Sequence, residues 1–239
     1  MTQADTIAAP KATDDELQTD EQLISLLDAR TRTYGMFARL YREEVDEEEI
    51  KQLQAMRFPV ATGNINVDAG YRMLFDYLKT AWADSVTELA VDYVRTFIGH
   101  GVNGYSAAYP FESVYTSERR LLMQEARAEV LATLRENGLK SGRWNEGEDH
   151  IGLEMEFMQR LGIRAKEALE AGDEDACIEQ LRRSREFMEE HLLNWMPMLT
   201  ADMRKFSRTN FYKGLATLSL AYVQEDATLL DELLESAEE

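Results

Sequence analysis

The stretch "WNEGEDHIGLEMEFM" (Trp144–Met158) sets Asp149 beside His150, just after a glycine and at the start of an apolar-periodic run. An aspartate next to a histidine has four possible uses. It is a catalytic dyad, half of a metal site, a structural latch or a grip on a peptide. For a metal, His150 and Glu154 stand four apart and share a helix face. Zinc asks for three or four ligands, and the other histidines, His100 and His191, lie in unrelated segments with no His-Glu-x-x-His pattern. For acyl transfer, Ser113 is the available nucleophile, but there is no Gly-x-Ser-x-Gly turn and nothing marks an oxyanion hole. No Gly-rich phosphate loop of either common type is present. Two readings stay open. In one, Asp149 caps a helix and His150 bonds to a neighbouring loop. In the other, the pair lies beside a groove and holds a basic peptide by charge-assisted hydrogen bonds.

Two other stretches carry unusual side chains. "YPFESVY" (109–115) holds three aromatics in seven residues, more than a solvated loop would, so they pack or line a groove. Glu112 and Ser113 are its polar members. In "FMEEHLLNWMP" (187–197), His191 falls among Met188, Leu192 and Trp195 at helical spacing, the setting of a satisfied buried histidine.

The elements that position these residues read as helices. With 239 residues and 44% hydrophobic composition the chain can bury a sizeable core. Apolar positions Leu23, Leu27, Tyr34, Phe37 and Leu40 recur at helical spacing over 21–41. Asp46 caps a short acidic helix (46–56), 58–66 reads as a loop, and 70–81 and 84–99 as helices. A loop of about fifteen residues follows from 101, long enough to be functional or a hinge. A helix is expected over 117–137, on the stripe Met123, Ala126, Val130 and Leu134. Further helices are expected over 149–171, from Asp173 towards Trp195 with Pro197 kinking or interrupting, over 198–206 and over 209–222, then a helical or frayed tail. No run alternates like a strand. The fold class is all-α, a single globular bundle of roughly nine to eleven helices. Its expected parts are a disordered tail (1–19), an N-terminal helical part (20–138), a connector or hinge (139–148) and a C-terminal helical part (149–239).

Charge narrows the partners. Lys plus Arg is 26 and Asp plus Glu is 45, a net charge of −19. Such a surface repels nucleic acid and anionic lipid and attracts a basic ligand, if it does more than confer solubility. The one cysteine, Cys177, forms no internal disulfide and reads as a small hydrophobe, buried or partly exposed. There is no secretory signal at the N-terminus and no run near the ~18 apolar residues of a membrane span, so a cytoplasmic protein without membrane insertion is expected.

Three segments together resemble the TorD/DmsD family of cytoplasmic redox-enzyme maturation chaperones. "YPFESVYTSERRLLMQEAR" is similar to its Pro-x-x-Ser-Val-Tyr loop and helix, "NEGEDHIGLEMEFM" to its Glu-Pro-x-Asp-His helix start, and "FMEEHLLNWMPML" to its Phe-x3-His-Leu-x2-Trp segment. Their order and spacing also fit, over about residues 20–225. The resemblance implies a TorD-like all-helical fold and a chaperone, not an enzyme. The partner it implies is the twin-arginine leader and catalytic subunit of a molybdopterin-type oxidoreductase, held back from export until its cofactor is inserted. It implies leader-binding residues Glu112, Ser113, Tyr115, Trp144, Glu146, Asp149 and His150. Asp149 would meet an arginine, His150 would orient Asp149 or donate to a peptide carbonyl, and Tyr115 and Trp144 would pack on the leader's apolar part. No metal or cofactor of the chaperone itself is implied. A monomer or a dimer exchanging halves at the connector is compatible with it. The proline after the first glutamate of the motif is Gly147 here, which is expected to loosen the connector. The alternatives are an assembly factor that binds only the mature redox subunit, and a hydrolase using Asp149–His150.

Overall fold

The computed structural model describes residues 14–56, 58–59, 61–82, 84–99, 106–139 and 146–238, with side chains from residue 20 onward. The helices are α1 (Asp14–Arg42), α2 (Glu47–Ala55), α3 (Ile65–Lys79), α4 (Ser85–Tyr93, continuing as a π turn Val94–Ile98) and α5 (Glu112–Thr116). They continue as α6 (Glu125–Glu136), α7 (Ile151–Glu170), α8 (Glu174–Phe187, then a π turn Met188–Leu192), α9 (Leu193–Phe206) and α10 (Asn210–Ser236). Among the described residues there is no strand, only an isolated antiparallel bridge between Phe111 and His150. The fold is all-α, as expected.

Local chemistry explains most boundaries. Asp46 accepts from the N–H of Glu49 at 2.8 Å, and Asp173 from that of Ala176 at 3.0 Å, as side-chain caps do. Asn64 accepts from the N–H groups of Asn66 and Val67, so α3 starts at Ile65, inside the stretch read as loop. The tail from 209 is one continuous helix to Ser236. Pro197 lies inside α9 rather than ending it. Its missing N–H falls one turn after the π turn, where the α ladder is already interrupted.

The expected helix over 117–137 is corrected. Only Glu125–Glu136 is helical, and Arg120 (φ 52°) and Met123 (φ 60°) are left-handed. Ser113 Oγ accepts the N–H of Gln124 and Ser117 Oγ that of Leu121, so side chains take bonds the helix needs. Of the apolar stripe, Ala126, Val130 and Leu134 are buried, while Met123 faces outward.

The core is laid down by helix pairs distant in sequence. α1 runs along α7, α3 along α10, and α8 and α9 close the remaining sides. On α1, Leu27, Tyr34, Phe37, Leu40 and Tyr41 are fully buried. At Gly70 the helices meet backbone to backbone: a Cβ there would lie 2.6 Å from Leu218 Cα on α10. Buried Arg30 pairs with Asp226 at 2.6 Å, and Tyr34 donates to the same carboxylate at 2.6 Å, tying α1 to α10. Cys177 is buried.

Candidate functional site

The two motif loops meet. The N–H of Glu112 donates to the carbonyl of Asp149 at 2.9 Å, and the N–H of Ile151 to that of Pro110 at 3.0 Å, zipping 110–112 against 149–151. This junction brings α5 onto the start of α7.

Asp149 and His150 each cap something. Asp149 Oδ2 accepts from the backbone N–H of Ser113 at 2.9 Å, so its carboxylate serves α5 rather than its own helix. Its Oδ1 is buried without a hydrogen-bond partner. The cap of α7 is His150, whose Nδ1 accepts the N–H of Gly152 at 3.0 Å. Burial, with the nearby Arg42 charge, pulls the His150 imidazole down to about 3, so it stays neutral. Phe111 packs edge-on against that ring at 5.0 Å. A Ser–His–Asp triad needs the histidine Nδ1 as a donor to the aspartate. Here that nitrogen is an acceptor and the carboxylate holds an amide, so the dyad is built as a latch.

Beneath it lies a second polar layer. Glu112 Oε2 sits 2.9 Å from His191 Nδ1, both buried. Trp195 Nε1 donates to Glu154 Oε2 at 3.2 Å. Burial first, then the negative charges of Glu112 and Asp149, push the Glu154 carboxyl well above its ordinary value. Tyr115 is half-buried, its ring stacked on Trp195 at 5.6 Å and its hydroxyl donating to Asp202 at 3.3 Å.

Of the seven residues expected from the sequence, Glu112, Ser113, Asp149 and His150 are 3%, 0%, 0% and 3% exposed and form this junction. Tyr115 borders it. Glu146 is exposed on the connector, and Trp144 lies outside the described residues, as does His100. Gly147, expected to loosen the connector, is instead buried; a Cβ there would lie 2.7 Å from Asp149 Oδ1. Its neighbour Glu148 takes Arg127 Nε at 2.6 Å, which fastens α6. The sequence reaches Glu154 only as a possible metal partner of His150 and Trp195 only as a core neighbour of His191, and gives no sign of Asp202. The signal for the first two was a polar group on the apolar face of each of two helices.

Among the described residues no three His, Cys, Asp or Glu are placed to hold a metal ion, and no helix is long and apolar enough to cross a membrane. What the junction does offer is an open neighbour. A cleft of about 350 Å³ lies between the end of α6 and α8, with Glu136, Glu179, Glu186 and Glu190 around a floor of Phe157 and Phe187. Phe187 touches the His191 ring at 4.7 Å, so the floor rests on the buried polar layer. One cation, Arg183, lies in it, bonded to Glu179 at 2.8 Å and to Asn137 Oδ1 at 2.9 Å. A larger groove of about 910 Å³, beside α1 and α2, is rimmed by Arg32 and Arg39.

Residues 64–201 match the model of a family described as nitrate reductase delta subunit. The chain is also similar to proteins named chaperone protein TorD. It is 25% identical to that of Vibrio cholerae strain N16961 over 90% of this chain and 98% of the other. The values are 24%, 88% and 98% for Photobacterium profundum, and 27%, 87% and 94% for Psychrobacter sp. PRwf-1.

Proposed function

The chain belongs to the nitrate reductase delta subunit family, to which the TorD chaperones belong, and from that premise we propose that it is a cytoplasmic chaperone that receives a twin-arginine leader in its acidic cleft. It serves redox-enzyme maturation and is not an enzyme. The leader belongs to the catalytic subunit of a molybdopterin-type oxidoreductase, whose export waits until its cofactor is in place.

The observation that carries this is the cleft between α6 and α8, where four carboxylates surround an aromatic floor. Adjacent guanidinium groups find charge-assisted acceptors there, over a base closed by the buried Phe157 and Phe187. The larger groove has Arg32 and Arg39 on its rim and one carboxylate, Glu49, itself paired with Arg39 at 3.2 Å, so it offers no cluster of acceptors for this ligand. Glu112, Ser113, Asp149 and His150 act on the leader by holding the junction behind the cleft, while Tyr115 and Glu146 stand at the surface to meet the rest of it.

Calorimetric titration of the full chain with a synthetic twin-arginine leader, beside a Lys-Lys version, tests this at low and moderate salt. Binding is expected to weaken with salt, and by about tenfold or more with Lys-Lys or in the Glu186→Gln/Glu190→Gln protein. Tight binding indifferent to all three changes would overturn the cleft assignment. No binding to any leader would move the reading to an assembly factor for the mature subunit, which would then bind a client lacking its leader.

A further inference from the structure

The chain carries a basic pair of its own. Between α5 and α6, Arg119 and Arg120 are followed by Leu121, Leu122 and Met123, and all five are exposed. The three apolar side chains are 49%, 47% and 63% accessible, consecutive exposed apolar residues on a chain of net charge −19. The backbone holds them out. Arg120 and Met123 are non-glycine residues in the left-handed region. The segment is fastened at both ends, by Arg120 N–H to the carbonyl of Ser117 at 3.1 Å and by Gln124 N–H to Ser113 Oγ at 3.0 Å. Two adjacent arginines followed by an apolar run are the chemistry the cleft is proposed to read, presented here already ordered.

We propose that residues 119–123 mimic the leader and dock into the acidic cleft of a second copy of this chain, so that self-pairing occupies the cleft until a leader displaces it. The inference rests on the leader reading above. The segment cannot serve its own cleft. It enters α6 at Glu125, the cleft begins at Thr133, and about eight residues of helix, about 12 Å, separate them. Two copies with α6 antiparallel across a two-fold axis bring each segment to the other's cleft, which is the self-complementary arrangement of a symmetric dimer. Charge favours this pairing over others. Two chains of −19 repel, and a patch of Arg119 and Arg120 against Glu136, Glu186 and Glu190 reverses the sign locally.

Sedimentation velocity on the full chain, with and without a synthetic twin-arginine leader, tests the pairing. The comparison is an Arg119→Gln/Arg120→Gln protein, whose changes are solvent-exposed; a Leu121→Ser/Leu122→Ser protein tests the apolar half. The parent is expected to self-associate with concentration, and leader or salt to reverse it. Both variants are expected to remain monomeric. At a concentration where two-thirds of the parent is paired, the variants bind leader about threefold more tightly. A parent that binds leader but stays monomeric would overturn the inference and leave the leader reading intact. So would variants that bind leader and pair as the parent does. Failure of every protein to bind leader would overturn the leader reading, and the mimicry with it.

Discussion

The Asp149 carboxylate accepts the backbone N–H of Ser113 at 2.9 Å, across 36 residues of chain. It is the polar clamp on the junction of the two motif loops. Its removal strands a buried amide and leaves α5 held to α7 by the two backbone bonds of the junction. Asp149→Ala is expected to cost about 2–3 kcal/mol, the range for a buried charge-assisted bond. Urea unfolding checks this: the midpoint should fall with the slope unchanged. The protein that remains folded should still bind leader. An unchanged midpoint with lost binding would instead make Asp149 a direct contact.

His150 gives the fold an acid limit. Its imidazole is held down to about 3 by burial and by Arg42, against an ordinary histidine value near 6.5 when unfolded. A depressed folded value means that the stabilisation is present above pH ~6.5 and is lost as pH falls towards 3. Each pH unit in that window costs on the order of 1.4 kcal/mol, because protonation places a charge in a buried site beside Arg42. His150→Asn keeps a capping acceptor without titrating. Its stability should fall less steeply than the parent's between pH 6 and 4, although it starts lower for lost packing against Phe111. Parallel slopes for the two proteins would refute the assignment.

Much of this was legible beforehand and some was not, for physical reasons. The caps Asp46 and Asp173 act within three residues, and the α1 stripe from Leu27 to Tyr41 repeats within one helix. Both are local, so spacing reveals them. The partners of Asp149 and His150 are set by a bridge between loops far apart in sequence, and spacing does not show which residue a cap will serve. Glu154 reads as a residue sharing a helix face with His150, but its partner is Trp195, which comes to it from another helix and leaves it fully buried. The stripe that includes Met123 suggested a longer α6, and Ser113 and Ser117 overrode it.

Glu154 should behave in the opposite sense to His150. Its folded carboxyl is raised by burial and by Glu112 and Asp149, so the protein holds it protonated, and stability drains away as pH rises above the ordinary carboxylate range. Glutamine imitates the acid form and keeps an acceptor for the Trp195 N–H. Glu154→Gln is expected to be near the parent at pH 5 and more stable at pH 8, by about 1–3 kcal/mol. Glu154→Ala should be less stable than the parent at both, since it strands Trp195 Nε1 and leaves a void. Thermal melts at the two pH values distinguish the cases, and a difference between Glu154→Gln and the parent that is the same at both would show that the carboxyl is ionised in the fold.

Two glycines separate helix propensity from helix contact. Alanine gains about 1 kcal/mol over glycine in a helix interior. At Gly70 a Cβ would lie 2.6 Å from the Cα, Cβ and backbone N of Leu218, and backbone cannot step aside. α3 and α10 would have to part, and overpacking of that kind costs about 1–3 kcal/mol or more. Gly70→Ala is therefore expected to be destabilising despite the propensity gain. At Gly152 the closest contact is the Arg42 side chain, with His150 Nδ1 next at 3.1 Å and the Ala38 carbonyl at 3.2 Å. Arg42 can swing, but it then gives up Glu156, its partner at 2.6 Å. Gly152→Ala should thus lose less than Gly70→Ala, and a second change, Arg42→Ala, should relieve part of its loss. Equal costs at the two positions, or no relief from the second change, would refute the close approach of α3 to α10 at Gly70 and of Arg42 to Gly152.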